Sequence, residues 1–183
     1  CNLEAPMISQ ESPIDKTGAN FGVSPACING IVAGGFDAIN LANNHILDHG
    51  EKGVFDTIST CEKAGVGYFG AGKNLKEASN IWVKEVDGKR IAFLGVTEHE
   101  FSIAGESSWG ANSMDVIDVT RVLHEAKSHC DFIILLVHGG KEHYPYPTPS
   151  LQKYCRFMVD QGVGAVICQH SHCIGSYEYY SGA

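Results

Sequence analysis

The chain has 183 residues, 44% hydrophobic and 19% charged, a balance that supports a buried core and excludes a disordered or fibrous polypeptide. That length suits one domain, residues 1–183, and leaves no room for two of ordinary size. A formal net charge of −8 offers no basic patch to displace counterions, which argues against a nucleic-acid partner; the only close basic pair, Lys89 and Arg90, reads as one end of a strand.

The stretch from Ser9 to Phe21 is polar and broken by Pro13 and Gly18, so it reads as a loop. Ser24-Pro25 is an N-cap followed by proline at the first helical position, opening a helix that should stop at Gly34-Gly35. Phe36 to Ala42 reads as a buried strand. Glu51 to Ala64 reads as an amphipathic helix, with Val54, Ile58 and Cys61 on one face and Gly65 as its stop. Val66 to Phe69 is a short strand. Ile81–Val86 and Arg90–Val96 flank the turn pair Asp87-Gly88, a strong hairpin signal. Asp115 to Ser128 is helical, Phe132 to Val137 is a strand with almost no polar relief, and Ser150 to Gln161 is the last helix. A strand from Gly164 to Cys168 follows, and Tyr177–Tyr180 is a candidate final strand. Strands alternating with helices predict α/β, a mainly parallel sheet with the hairpin as an antiparallel part.

Polar, metal-competent residues fall where these strands run out, and in an open α/β sheet the carboxyl ends of the strands form a ligand crevice. Asn44 and His45 follow the first strand, His138 follows the central one, and His170 and His172 follow the last, with Glu4 near the N-terminus. Residues two apart in extended backbone point the same way, so His170 and His172 can reach one cation. Asp48 stands three residues beyond His45, where it can hydrogen-bond the ring and fix its tautomer. A plainer reading of Asn43-Asn44 is a turn whose side chains satisfy backbone groups. A lone core histidine is the plainer reading of His138. Cys168 and Cys173 lack the looped spacing of a structural zinc module. His49, His99, His124, His129 and His143 read as ordinary surface or turn histidines, and Trp82, Trp109, Tyr144 and Tyr146 as packing residues. Tyr144-Pro145-Tyr146-Pro147 follows the His138 loop closely enough to wall the crevice.

Seven cysteines make complete internal pairing impossible, and most lie in apolar patterns where a free thiol behaves as a small buried hydrophobe. They fit a reducing compartment better than a disulfide framework. No signal peptide or transmembrane run is visible. The abrupt opening on Cys1-Asn2-Leu3-Glu4 and the ending at Ala183 read as truncation at both ends, so any leader or membrane anchor is expected outside these residues.

Asn2-Leu3-Glu4, Asn40-Leu41-Ala42-Asn43-Asn44-His45 with Asp48 and Gly50, and Ala64-Gly65-Val66 leading to Gly70-Ala71-Gly72 resemble the CapA family of poly-γ-glutamate capsule synthesis proteins. So do His138-Gly139-Gly140-Lys141-Glu142-His143 with Pro147 and Gln152, and Asp160 to Tyr180 around His170-Ser171-His172. The resemblance covers nearly the whole chain. It implies a metallophosphatase-like fold, a two-sheet β-sandwich flanked by helices, related to calcineurin-like metallophosphoesterases. It also implies metal ligation by Asn44, His138, His170 and His172, with Glu4 near the place of a bridging carboxylate. His45, oriented by Asp48, would face the scissile bond, and Glu142 and Tyr144 would contact substrate. The cofactor implied is one or two divalent ions of manganese, iron or zinc, and the partners an anionic polymer or phosphoester and other capsule synthesis proteins. Such proteins are expected at the bacterial membrane or cell surface, whereas the cysteine content allows a cytoplasmic location. The chain departs from the family pattern at Gly139, where tryptophan is common, at Gln169 and Ser171, and in lacking an opening Gly-Asp strand with a first metal carboxylate. Two functions from different classes follow: a component of capsule polymer synthesis or export, and a divalent-metal-dependent phosphoesterase. A third reading is a degenerate α/β domain without an active site.

Overall fold

Ser24 accepts a hydrogen bond from the Ala26 N–H and starts a 3-10 turn, Pro25–Cys27, that runs into helix α1 (Ile28–Ala33). These coordinates are a computed structural model, which describes residues 1–98 and 101–183; His99 lies outside the described residues. Strand β1 spans only Ala38–Asn40, shorter than the apolar run suggests. The Asn40 carboxamide explains the early end: its Oδ1 accepts from the Ala42 N–H at 3.1 Å and bends the chain out of the ladder. Helix α2 (Gly50–Ala64) buries Val54, Ile58 and Cys61, the stripe predicted from spacing, and ends on Gly65 at φ 69°. β2 (Gly67–Phe69) pairs in parallel with β1. β3 (Ala71–Gly72) and helix α3 (Leu75–Ala78), capped by the Asn74 side chain, close the first half.

The second half builds one four-stranded sheet. β4 (Trp82–Val86) and β5 (Lys89–Thr97) form the predicted hairpin, Val86 opposite Lys89, with Asp87 and Gly88 at φ 51° and 74° as a primed turn requires. β6 (Gly110–Ala111) pairs antiparallel with β3. Helix α4 (Val116–Lys127) is capped by Asp115, which accepts from the Ile117 and Asp118 N–H groups. β7 (Phe132–His138), helix α5 (Pro149–Asp160), capped by Thr148, and β8 (Ala165–Gln169) complete the order β4-β5-β7-β8. β5, β7 and β8 run parallel and β4 is the antiparallel edge, so the expected mixed sheet is found.

Side-chain alternation sorts this sheet into two faces. Ala92, Leu94, Val96, Ile133, Leu135 and Val137 pack under α4 and α5 with Leu123, Leu151 and Met158. Ile134 and Leu136 turn the other way, onto Ala38 and Phe69 of the β1–β2 sheet, with Trp82 and Phe93 beside them. The far side of β1 is covered by Ile28, Val54, Ile58 and Cys61 from α1 and α2. The layers are therefore helix, sheet, sheet, helix, and the α/β class with a two-sheet sandwich is the architecture found.

The sheets close tightly where the strands end. A Cβ on Gly95 of β5 would lie 2.1 Å from Asn40 Oδ1, so only glycine fits there. Asn40 Nδ2 donates to Asn2 Oδ1 and to Gln169 Oε1, both at 3.3 Å, tying the N-terminal segment and β8 to β1. Three expectations are corrected. His138 is the last residue of β7 rather than the residue after it. Tyr177–Tyr180 forms no strand: Tyr177 and Tyr179 project into solvent, and nothing among the described residues pairs their backbone into a ladder. Of the seven cysteines only Cys61 is buried, while Cys1, Cys27, Cys168 and Cys173 are exposed and Cys130 and Cys155 are half-buried, so an apolar sequence pattern did not bury most of them. Among the described residues no helix is long and apolar enough to cross a membrane.

Candidate metal centre

Glu4, Asn44, His138, Glu142, His170 and His172 come from separate stretches of chain and meet at the ends of β1, β7 and β8. Glu4 arrives because Asn2 bridges Asn40 and the Leu3 N–H donates to the Asn40 carbonyl at 3.2 Å. Asn44 Oδ1 lies 3.0 Å from His138 Nε2. Glu4 Oε1 lies 3.6 Å from His138 Nε2 and 3.4 Å from His172 Nε2, and Glu142 Oε1 lies 3.7 Å from His170 Nε2. Two overlapping triads result, Glu4-His138-His170 and Glu142-His170-His172, the donor atoms of each within 4.8 Å of one another. The family likeness implies a metal, and these donors fit one. Asn44 and His138 lie at hydrogen-bond distance, but the carboxylate–imidazole separations exceed the usual 2.7–3.2 Å of an N–H···O bond. They match the roughly 3.4 Å between two ligands bound at about 2.1 Å around one ion.

His138 is 1% exposed. Burial, followed by the neighbouring His170, His45 and His172 rings, pushes its pKa down to about 3, so its ring is neutral and keeps a lone pair to give. The Nδ1 atoms of His138 and His170 are buried without a hydrogen-bond partner among the described residues. His170 and His172 hold φ of 90° and 51°, and His143 54°, a region that β-carbons disfavour by about 1–3 kcal/mol each. Hydrogen bonds hold these turns in place: the His143 N–H to the Ser171 carbonyl at 2.7 Å, the Gly139 N–H to the Gln169 carbonyl at 3.2 Å, and the Ser176 N–H to the Pro145 carbonyl at 3.1 Å. Gly139 is crowded: a Cβ there would lie 2.5 Å from Glu98 Cγ.

His45 stands beside this cluster on its own polar support. Its Nδ1 lies 2.7 Å from Asp48 Oδ2, the pairing the three-residue spacing suggested. Asp48 is fully buried and also accepts from the Phe21 N–H at 2.7 Å and from Lys16 Nζ. Lys16 Nζ reaches within 3.4 Å of His45 Nδ1, and the Phe21 ring packs on the His45 ring at 4.4 Å. Sequence reading missed Lys16 and Phe21; they sit in a polar loop about thirty residues upstream, and nothing in their spacing marks them. The turn reading holds for the first of the two asparagines. Asn43 serves the turn, accepting from the His45 N–H and donating to the Leu3 and Leu41 carbonyls, which leaves Asn44 to face His138. Tyr144 is not brought into the cluster: its exposed ring meets Lys141 and Tyr146 instead. His49 is buried, with Nδ1 accepting from the Ser12 N–H, a structural role.

The family described as bacterial capsule synthesis protein PGA_cap matches residues 1–183. The capsule biosynthesis protein CapA of Bacillus anthracis is 31% identical over 98% of this chain and 46% of its own length. A probable polyglutamine synthesis accessory protein of Mycobacterium tuberculosis is 27% identical over 99% of this chain and 51% of its own. A putative 5'-nucleotidase from Staphylococcus aureus, a solved structure, aligns over 81% of this chain and 34% of its own at 16% identity and a TM-score of 0.49. This chain thus spans about half the length of the curated relatives it matches. On the full-length match and the 31% identity, the chain belongs to the bacterial capsule synthesis protein family PGA_cap.

Proposed function

We propose that this domain serves synthesis or export of an anionic poly-γ-glutamate polymer through a divalent-metal centre held by Glu4, Asn44, His138, Glu142, His170 and His172. The observation that carries the proposal is the convergence of those donors, with carboxylates and imidazoles at coordination spacing instead of hydrogen-bond spacing. Mixed nitrogen and oxygen donors suit manganese, iron or zinc. A bound ion would polarise an anionic oxygen and lower the pKa of water from 15.7 to about 7. It would also offset the repulsion between a polyanion and a chain of net charge −8. Other capsule synthesis proteins are the partners this reading requires. Purified protein should carry about one equivalent of a transition metal per chain, lost on His170→Ala. A protein with no bound metal, and no uptake on titration with manganese, would overturn the reading.

The His45–Asp48 pair supports a second reading, hydrolysis of a phosphoester. Asp48 occupies His45 Nδ1, so proton exchange runs through Nε2. Lys16 and the Phe21 N–H hydrogen-bond the Asp48 carboxylate and hold it in its buried place against His45. The imidazole is thereby oriented to give a proton to a leaving oxygen. Phosphatase and phosphodiesterase assays with added manganese test this. His45→Ala should lower turnover by about 10²–10⁴-fold, and unchanged turnover would remove His45 from the mechanism.

A further inference from the structure

Cys155 of α5 and Cys168 of β8 come from different elements, yet their sulfurs lie 3.6 Å apart. Cys168 is paired across β7 with Val137, which places it on the face of the sheet that packs under α5. Both thiols are free, Cys168 is exposed and Cys155 half-buried, so an oxidant has access to the strand-borne sulfur. A disulfide needs the sulfurs at about 2.05 Å. The remaining gap of roughly 1.5 Å is within what small χ1 rotations at two cysteines supply. No other pair among the seven cysteines shows such a contact among the described residues.

We propose that Cys155 and Cys168 are a disulfide-forming pair, closed by exchange with a low-molecular-weight disulfide such as oxidised glutathione. Cys168 attacks one sulfur of the oxidant, forming a mixed disulfide and releasing one thiol. Cys155 then attacks the Cys168 sulfur and expels the second thiol. Two protein thiols become one disulfide and one glutathione disulfide becomes two thiols, so protons and electrons balance. The bond fastens β8 to α5 just ahead of His170-Ser171-His172, the turn whose backbone is held in disfavoured φ. The cross-link is independent of any bound ion.

The test is oxidation of the whole chain with glutathione disulfide, followed by tryptic mapping without reduction. Cleavage after Lys153 and Arg156 leaves Cys155 on Tyr154–Arg156 and Cys168 on Phe157–Ala183, and these two peptides should be joined. The link should persist in Cys173→Ser, disappear in Cys168→Ser, and raise the thermal midpoint by roughly 6–12 °C for a loop of this size. Glutathione adducts on Cys168 with Cys155 left as a free thiol, or a bond from Cys168 to Cys173, would overturn the proposal.

Discussion

Lys16 shows how much of the centre depends on single charges held out of water. Asp48 is fully buried, and its carboxylate contacts Lys16, the Phe21 N–H and the His45 ring. Removing one partner of a buried pair leaves the other uncompensated, typically at about 3–5 kcal/mol. Lys16→Met should therefore lower the unfolding free energy, measured in urea, by about 3 kcal/mol, near the bottom of that range. Lys16→Met in an Asp48→Asn background should cost much less, and equal costs in both backgrounds would show that the pair is not coupled. Gly95 makes a steric counterpart. A Cβ at 2.1 Å from Asn40 Oδ1 must push the sheets apart or displace an amide that ties three segments together. Gly95→Ala should cost about 1–3 kcal/mol in chemical denaturation. Neither residue was legible in the sequence. Asn44, His45, His138, His170 and His172 were, because strand ends with polar side chains can be read locally. Lys16 was not, because its partner is chosen by tertiary folding.

The elements most readable from the sequence are those whose ends are set by local chemistry. Asp87-Gly88 fixes the β4–β5 register by demanding positive φ, and Asp115, Thr148 and Gly65 mark helix ends within a residue or so. Asp115 is the strongest of these caps, accepting from Ile117 at 2.9 Å and Asp118 at 3.0 Å. Asp115→Ala should cost about 1 kcal/mol, read as a lower thermal midpoint, and Asp115→Ser should restore most of it. Elements set by distant partners were not readable. The run from Phe36 to Ala42 has strand composition throughout, but the Asn40 side chain claims the Ala42 N–H and only three residues stay in the ladder. β3 and β6 are two residues each and exist only because Gly70 to Gly72 passes beside Gly110, a pairing no local pattern signals. Tyr177–Tyr180 carries strand-like aromatics without a neighbour to pair with, so composition alone overstated it.

At the scale of the molecule, the two-sheet sandwich buries His138 where β7 ends, and that gives stability a defined pH dependence. His138 titrates at about 3 in the folded chain because burial and three nearby imidazoles oppose its charge. Unfolded, it should titrate near the ordinary value of about 6.5. Above that value the ring is neutral in both states and contributes no slope. Between about 6.5 and 3 the unfolded chain binds a proton that the folded chain refuses, so stability falls as pH falls, by roughly 1.4 kcal/mol per unit at the steepest. Asp56, Asp131 and Glu178, held below the usual carboxylate range by hydrogen bonds to Lys52 and Ser9, to Arg90 and Lys89, and to Arg156, add a loss of the same sign at still lower pH. The histidine is therefore isolated by difference. Metal-stripped wild-type protein and His138→Gln, which carries no titrating ring, should be unfolded in urea at pH 7, 6, 5 and 4. The variant should start lower at pH 7 through lost packing and then decline less steeply, so the two curves converge as the pH drops. Parallel curves would mean that His138 takes up its proton as readily in the folded chain as in the unfolded one, and would overturn the idea that its burial opposes charge.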